Sequence, residues 1–368
     1  MAIIFFLIII AVLVFVHELG HFLVAKWQGI RVDEFAIGFP PKVWSFKKGE
    51  TVYAINLIPF GGYVKIFGEN PDEESLTGPD SQRSMVNKSK WSQVLVLIAG
   101  VSCNVIFAWL LISFSLMSGM PTSAGFASGY SSSTISHTQV IVTGVIKGGP
   151  AEKAGLKTGN IIVGLNAATS TLSVSSIQQA VAESQGKPVI LNVLDKTSAS
   201  ESRAVQVIPE KGVISADTYA IGLGMDTVGI VKFGFLQSFY EGAKTTGIII
   251  KETTVGLAKF IAQAFTGQAH LSQVSGPVGI VGMVGQASQY GWAYLISFTA
   301  FISINLAVIN ILPFPALDGG RILFIIIESI KGSRLSPKIA NTANAIGFGL
   351  LLLLMLVVTL SDVVKLFH

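Results

Sequence analysis

The sequence predicts a polytopic α-helical membrane protein of about four transmembrane helices, with a β-hairpin beside the membrane and one small α+β domain outside it. Three observations predict this fold class. Charged residues are only 12% of the 368, about half the ~25% of a soluble globular protein, and mean hydropathy is +0.63. Several uncharged stretches approach the ~20 residues that cross a hydrocarbon core of about 30 Å. Between the second and third of these lies a long segment of mixed polarity with strand alternation and turn signals. The same composition excludes a disordered chain, a soluble enzyme of ordinary make-up and a disulfide scaffold, since Cys103 is the single cysteine. A formal net charge of +4 without a concentrated basic patch excludes nucleic acid as a partner.

The first span occupies residues 1–27. Ala2 to Val16 is apolar without interruption, and only His17, Glu18 and His21 oppose it before Lys26. A signal peptide would open on basic residues and end a shorter core at small ones; this chain opens Met-Ala-Ile and carries its charges inside the core. The second span is 91–118, free of acids and bases from Trp91 to Met117. The third is 292–331, uncharged from Trp292 until Asp318, and the fourth is 340–362. Trp91 and Trp292 open two of the spans, where interfacial aromatics are enriched.

Orientation follows from the short loops. Residues 28–90 carry Arg31, Lys42, Lys47, Lys48, Lys65, Arg83, Lys88 and Lys90, and the connection from the third to the fourth span carries Arg321, Lys331, Arg334 and Lys338. Basic loops stay in the cytoplasm, which leaves both chain ends and everything between the second and third spans outside.

In the outer segment, 119–135 is a linker rich in Ser, Gly and Ala. Residues 136–212 read as a compact domain: strands at Gln139–Val145, Ile161–Leu165, Val189–Leu194 and Ala204–Ile208, with helices after Pro150 and over Val174–Ser184. The run Gly149-Pro150-Ala151…Ala154-Gly155-Leu156…Gly159-Asn160-Ile161-Ile162 resembles a PDZ domain, with Asn160 where an acid is usual. PDZ domains bind peptide termini by adding a strand to a sheet edge; a plain spacer is the alternative. Residues 233–290 read as amphipathic helices on the outer membrane surface, with a break at Gly276-Pro277-Val278-Gly279 before the third span.

The cytoplasmic loop holds strand character at Val52–Ile58 after a turn at Lys47-Lys48-Gly49-Glu50, and a second turn at Gly61-Gly62-Tyr63-Val64-Lys65. Phe35, Phe39, Phe60 and Phe67 lie close by. Such a hairpin either dips into the bilayer, where strand backbone is tolerated only beside protein or a water-filled cavity, or forms a small cytoplasmic sheet.

The chemistry centres on His17-Glu18-Leu19-Gly20-His21. On a helix, residues i and i+4 share a face, so both imidazoles reach one metal ion. Glu18 lies about 100° round, placed to take a proton from an activated water without being a ligand. Each charge at the centre of a span costs about 2.5–3.5 kcal/mol on insertion scales, too much for an accident. A catalytic zinc wants a third protein ligand and an open position. The extended soluble-protease pattern would need a histidine where Trp27 stands, and His137, His270 and His368 lie outside the spans. Asp318, in Asn310-Ile311-Leu312-Pro313-Phe314-Pro315-Ala316-Leu317-Asp318-Gly319-Gly320, is the carboxylate at matching depth; a plain helix cap is its alternative role.

The paired motifs, with a PDZ-like domain between them, resemble the site-2 protease family of intramembrane zinc metalloproteases. The bacterial regulator-of-sigma-E protease branch, in a form with one PDZ domain, is the nearest likeness. Pro59-Phe60-Gly61-Gly62-Tyr63-Val64-Lys65 and Gly276-Pro277-Val278-Gly279 match that branch as well. The resemblance implies zinc on His17, His21 and Asp318, and Glu18 as acid–base. It implies substrate contacts from Asn310 and from Asn104, the latter in a Gly100-Val101-Ser102-Cys103-Asn104 run with Val101 for the family's proline. It further implies a hairpin that re-enters the membrane and pairs with an unwound substrate. The expected partners are single-pass membrane proteins, of the anti-sigma-factor or leftover-signal-peptide type, together with membrane lipid. The expected location is the cytoplasmic (inner) membrane of a bacterium. A metal transporter would want more polar residues along its spans, and Gly347–Leu360 offers only Thr359; an inactive PDZ scaffold would have no use for Glu18.

Overall fold

The computed structural model describes every residue except 124–134, 167–171, 196–201, 216, 269–273, 290 and 368; for 60, 121, 123, 135–137, 289, 366 and 367 it describes the backbone alone. Most of the expected linker, His270, His368 and the His137 side chain therefore lie outside the described residues. The chain forms two compact units, Met1–Ser115 with Phe239–His368, and Leu116–Ser238.

In the first unit, four helices among the described residues are long and apolar enough to cross a membrane: Ala2–Trp27, Lys90–Ser118, Trp292–Asn310 and the stretch Pro337–Lys365. We label the first two α1 and α2. Helix α1 buries Ile9, Leu13, His17, Gly20, His21 and Ala25, a single stripe at spacings of three and four. Its other faces expose Ile3, Ile4, Ile8, Val12 and Leu23, as a helix must that meets lipid on the outside and protein on the inside.

The expected third span is not one helix. It runs as a helix from Trp292 to Asn310, breaks, and restarts at Asp318 as a second helix to Lys331. Pro313 and Pro315 supply no N–H and enforce the break. Gly276-Pro277-Val278-Gly279 also departs from expectation: Pro277 opens a helix, Pro277–Gln289, rather than only interrupting the chain. That helix packs Val284 against Ile9 and Leu13 of α1 and against Leu295. Asp362, 4% exposed near the end of the last helix, accepts the Gly279 N–H at 2.8 Å. A carboxylate from a distant helix thus caps these first-turn donors, as anions do at helix N-termini.

The segment between the first two spans forms two long strands, β1 (Val32–Lys48) and β2 (Thr51–Ile66), whose register shows that each turns back on itself. Pairs from Glu34↔Lys65 to Ile37↔Gly62 run in opposite senses. Pairs from Glu34↔Val52 to Ile37↔Ile55 rise together, and those from Trp44↔Ile55 to Lys48↔Thr51 run oppositely again. Side by side, the segments are therefore ordered 62–66, 32–37, 51–56, 42–48. The chain reverses between Ile55 and Gly62, ahead of the second expected turn, whose residues Gly62–Lys65 are strand paired with Glu34–Ile37. The sheet packs on α1 through Phe35, whose ring centroid is 5.7 Å from Phe15 and 5.2 Å from Phe22. The edge segment is open, with every residue from Phe39 to Lys48 exposed.

The second unit holds a six-stranded antiparallel sheet. Numbered in chain order, β3 is Met120–Ser123, β4 Ile135–Val145, β5 Ile161–Leu165, β6 Val189–Leu194 and β7 Ser202–Val207. After the short pair β8 (Glu210–Lys211) and β9 (Tyr219–Ala220), β10 is Leu223–Val231. The sheet order is β3-β10-β4-β5-β6-β7. Val140, Val142, Ile162, Val189, Leu191 and Ile177 of the helix Val174–Glu183 fill its core. The sequence reading ended this domain at residue 212 and missed β10, a strand internal to the sheet; Gly222, Gly224 and Gly229 interrupt the alternation that would have revealed it. Asn160 performs the local task of the usual acid, accepting the Lys157 N–H at 2.8 Å.

The turn between β1 and β2 is anchored at Glu50, which accepts from Lys26 Nζ at 2.6 Å and from Arg83 Nη2 at 2.7 Å. The Lys26 ammonium foremost, then the Arg83 guanidinium, holds the Glu50 carboxyl below its ordinary value of 4.5. A group whose pKa is lowered by folding stabilises the fold above its unfolded pKa and loses that contribution as pH falls through the folded one. Cleavage by added protease after Lys47 or Lys48 is therefore expected to stay constant from neutral pH down to about 5 and to rise below it; Glu50→Gln should remove that pH dependence.

Candidate metal centre

His17 and His21 occupy the buried stripe of α1, 8% and 7% exposed. What lets them converge is the close passage of α2 alongside. A Cβ on Gly20 would collide with the Ala99 carbonyl and come within 2.9 Å of Cys103 Sγ, and one on Gly100 would overlap the His21 imidazole and lie 2.9 Å from His17 Cε1. Small residues at such crossings let helix backbones approach. Val96, Gly100 and Asn104, spaced i, i+4 and i+8, present one face of α2 to the two imidazoles. Val96 contributes its carbonyl, which His21 Nδ1 meets at 2.8 Å. Gly100 leaves the space, and Asn104 contributes its side chain, Nδ2 lying 3.2 Å from His17 Nδ1.

Asp318 arrives from the other side as the first residue of the restarted helix. Its Oδ2 lies 3.2 Å from His17 Nε2 and 3.4 Å from His21 Nε2, and the two Nε2 atoms are 3.1 Å apart. Among the described residues these three form a set with ligand atoms all within 4.8 Å of one another.

The protonation that the hydrogen bonds demand shows what such a cluster is for. A carbonyl only accepts, so His21 Nδ1 carries a proton toward Val96, and Nε2 is the nitrogen whose lone pair is available to a metal ion. That lone pair faces Asp318 Oδ2, a buried oxygen without a hydrogen-bond partner. These atoms repel one another unless protons on the rings or a metal cation sit among them. Ligands at 2.0–2.1 Å in a tetrahedron are separated by about 3.3 Å, and 3.1, 3.2 and 3.4 Å match that spacing. The donor set fits zinc.

The chain matches the model of peptidase family M50 over residues 5–354. It is 31% identical over 430 residues to zinc metalloprotease RasP of Geobacillus kaustophilus, covering 100% of this chain and 98% of the relative. It is also 31% identical over 438 residues to the regulator of sigma-W protease RasP of Bacillus subtilis, covering 98% of each. The chain belongs to peptidase family M50. It is a zinc metalloprotease and a polytopic membrane protein of the site-2 type.

The remaining expected residues of this M50 peptidase are distributed unevenly. Glu18 is half-buried, one residue on from His17 and within electrostatic reach of both imidazoles and Asp318. Asn310 is half-buried and ends the Trp292–Asn310 helix, just before the break. Asn104 is fully buried, with its side chain turned to His17 and its backbone carbonyl accepting from Ser303 Oγ at 2.8 Å. Sequence reasoning gave Gly100 only as part of a motif, and missed Val96 and Ser303. The four-residue spacing of 96, 100 and 104 on an uncharged helix was the available signal for Val96 and Gly100.

Replacing His17, His21 or Asp318 singly by alanine is expected to drop zinc in detergent-purified protein from one per chain to a small fraction of that. Cys103→Ser should keep one. Metal analysis of the four variants checks this.

Proposed function

We propose that this M50 protease hydrolyses a peptide bond within the membrane-spanning helix of a single-pass protein, with zinc on His17, His21 and Asp318 and Glu18 as acid–base. The observation that carries the reading is the location of the cluster: its ligands stand on α1, a helix apolar enough to span, and at a break following another. Zinc supplies Lewis acidity at the scissile carbonyl. Glu18 takes a proton from the attacking water and returns it to the leaving amine. Val96 and Asn104 hold the imidazoles with Nε2 toward the ion, each by engaging Nδ1. For Asn104 this means Oδ1 toward Nδ1–H, an amide orientation that also satisfies an oxygen otherwise buried without a partner.

A helical substrate shields its own carbonyls and must unwind before it is cut. The open edge segment 42–48 is suited to take over the freed backbone hydrogen bonds by strand addition, and its exposed Val43, Trp44 and Phe46 suit a sheet that re-enters the bilayer. Asn310 is free to contact the extended substrate. The Leu116–Ser238 unit acts as a PDZ domain outside the membrane. Among the described residues its β10 pairs with β3 at Val228–Val231 and packs beside the Val174–Glu183 helix, and strand addition to this sheet is the mode by which a peptide terminus would bind. Both chain ends lie outside the bacterial cytoplasmic membrane. By its name the Bacillus subtilis relative regulates sigma-W; membrane-anchored sigma-factor restraints are the matching substrate class here, with leftover signal peptides as the second.

The test is cleavage of a detergent-solubilised single-span substrate. Wild type should cut within the span, and Glu18→Gln should be slower by at least about a hundredfold with its zinc retained. Equal activity in both, or cleavage of soluble peptides alone, contradicts the proposal. Asn104→Leu should weaken zinc binding about 10- to 100-fold in chelator competition and Asn104→Asp much less, since it keeps an acceptor on Nδ1–H.

A further inference from the structure

One backbone donor of the break that delivers Asp318 is satisfied from outside the break and its flanking helices. From Ile311 to Leu317 the backbone donors can be accounted for completely. Ile311 N–H donates to Ala307 O at 3.2 Å, Leu312 to Ile309 O at 3.1 Å, Phe314 to Leu312 O at 2.7 Å and Leu317 to Phe314 O at 3.1 Å. Pro313 and Pro315 have no N–H. The one remaining donor, Ala316, reaches neither helix flanking the break and is accepted by Asn344 Oδ1 at 3.2 Å. Ala316 also stands at φ +77°, a left-handed conformation that an alanine rarely adopts. At membrane depth no water is at hand to satisfy a freed N–H, so the acceptor has to come from the protein.

Asn344 lies on the final helix, Pro337–Phe367, 26 residues beyond the carboxylate it serves. One turn further on, Gly347 meets the same break: a Cβ there would lie 2.5 Å from the Pro315 carbonyl oxygen. Asn344 and Gly347, spaced i and i+3, thus form one face of that helix cradling the Pro315–Ala316 peptide. Two residues later the chain enters the helix whose first side chain is Asp318.

We propose that Asn344 is a positioning residue for the metal centre, fixing the left-handed turn at Ala316 and through it the place of the Asp318 carboxylate opposite His17 and His21. It touches neither metal nor substrate. This rests on the reading of Asp318 as a zinc ligand.

The experiment measures zinc affinity by chelator competition on the full chain in detergent. Asn344→Leu is expected to weaken binding about tenfold, the lower end of the effect of partners that orient metal ligands. Two changes should restore it for different reasons. Asn344→Asp keeps an acceptor for the Ala316 N–H, and Ala316→Gly in the Asn344→Leu background makes the turn intrinsically accessible, since glycine populates φ > 0 freely. Wild-type zinc affinity in Asn344→Leu overturns the proposal, as does a loss that neither change restores. If Asn344→Leu does not accumulate, Asn344→Ala removes the acceptor without adding bulk and is read in the same way. Wild type and Asp318→Ala accompany each series: equal zinc in those two would instead overturn the ligand assignment beneath the proposal.

Discussion

Three acceptor atoms, two imidazole nitrogens and a carboxylate oxygen, are held 3.1 to 3.4 Å apart in surroundings almost free of water. With both imidazoles neutral, that arrangement is unfavourable without a metal ion. The lone pairs repel, and burying an unpaired carboxylate costs several kcal/mol. A bound cation converts each of these penalties into a coordinate bond. The rest of the first unit is arranged to make the convergence possible: Gly20 and Gly100 bring two helix backbones together, Val96 and Asn104 fix the rings, and a broken span brings Asp318 to meet them.

The sheet of β1 and β2 and the final helix are tied to the same centre. The sheet packs on Phe15 and Phe22 of α1, either side of the histidine turn. The last helix meets the break at Pro315 and Ala316, and it also caps the Pro277–Gln289 helix through Asp362. Much of its remaining surface is Leu, Met, Val and Phe facing outward. Its polar residues are few, and two of them, Asn344 and Asp362, fasten it to segments that would otherwise leave backbone donors unsatisfied.

What could be read from the sequence followed from contrast. His17, Glu18, His21 and Asp318 stand out because ionisable groups inside apolar segments are costly, and the four spans stand out because they are uncharged. Strands whose partners lie far along the chain, or whose alternation is interrupted by glycine, left no such signal. The parallel pairing of residues 34–37 with 52–55 has no local signature, and β10 is obscured by its glycines. Side-chain targets were equally hidden. Asn104 could be recognised as a buried amide on a span, but whether it faces substrate or His17 depends on how α2 is rotated against α1. Asn344 and Asp362 serve backbone donors 28 and 83 residues away in the chain, which spacing arguments cannot reach.

Zinc-edge X-ray absorption on the purified protein tests the central claim most directly. The account predicts a first shell of nitrogen and oxygen at about 2.0–2.2 Å with the outer scattering of two imidazoles, and loss of that bound zinc on Asp318→Ala. A sulfur scatterer at about 2.3 Å, placing Cys103 in the shell, or a shell unchanged by removal of Asp318, would contradict it.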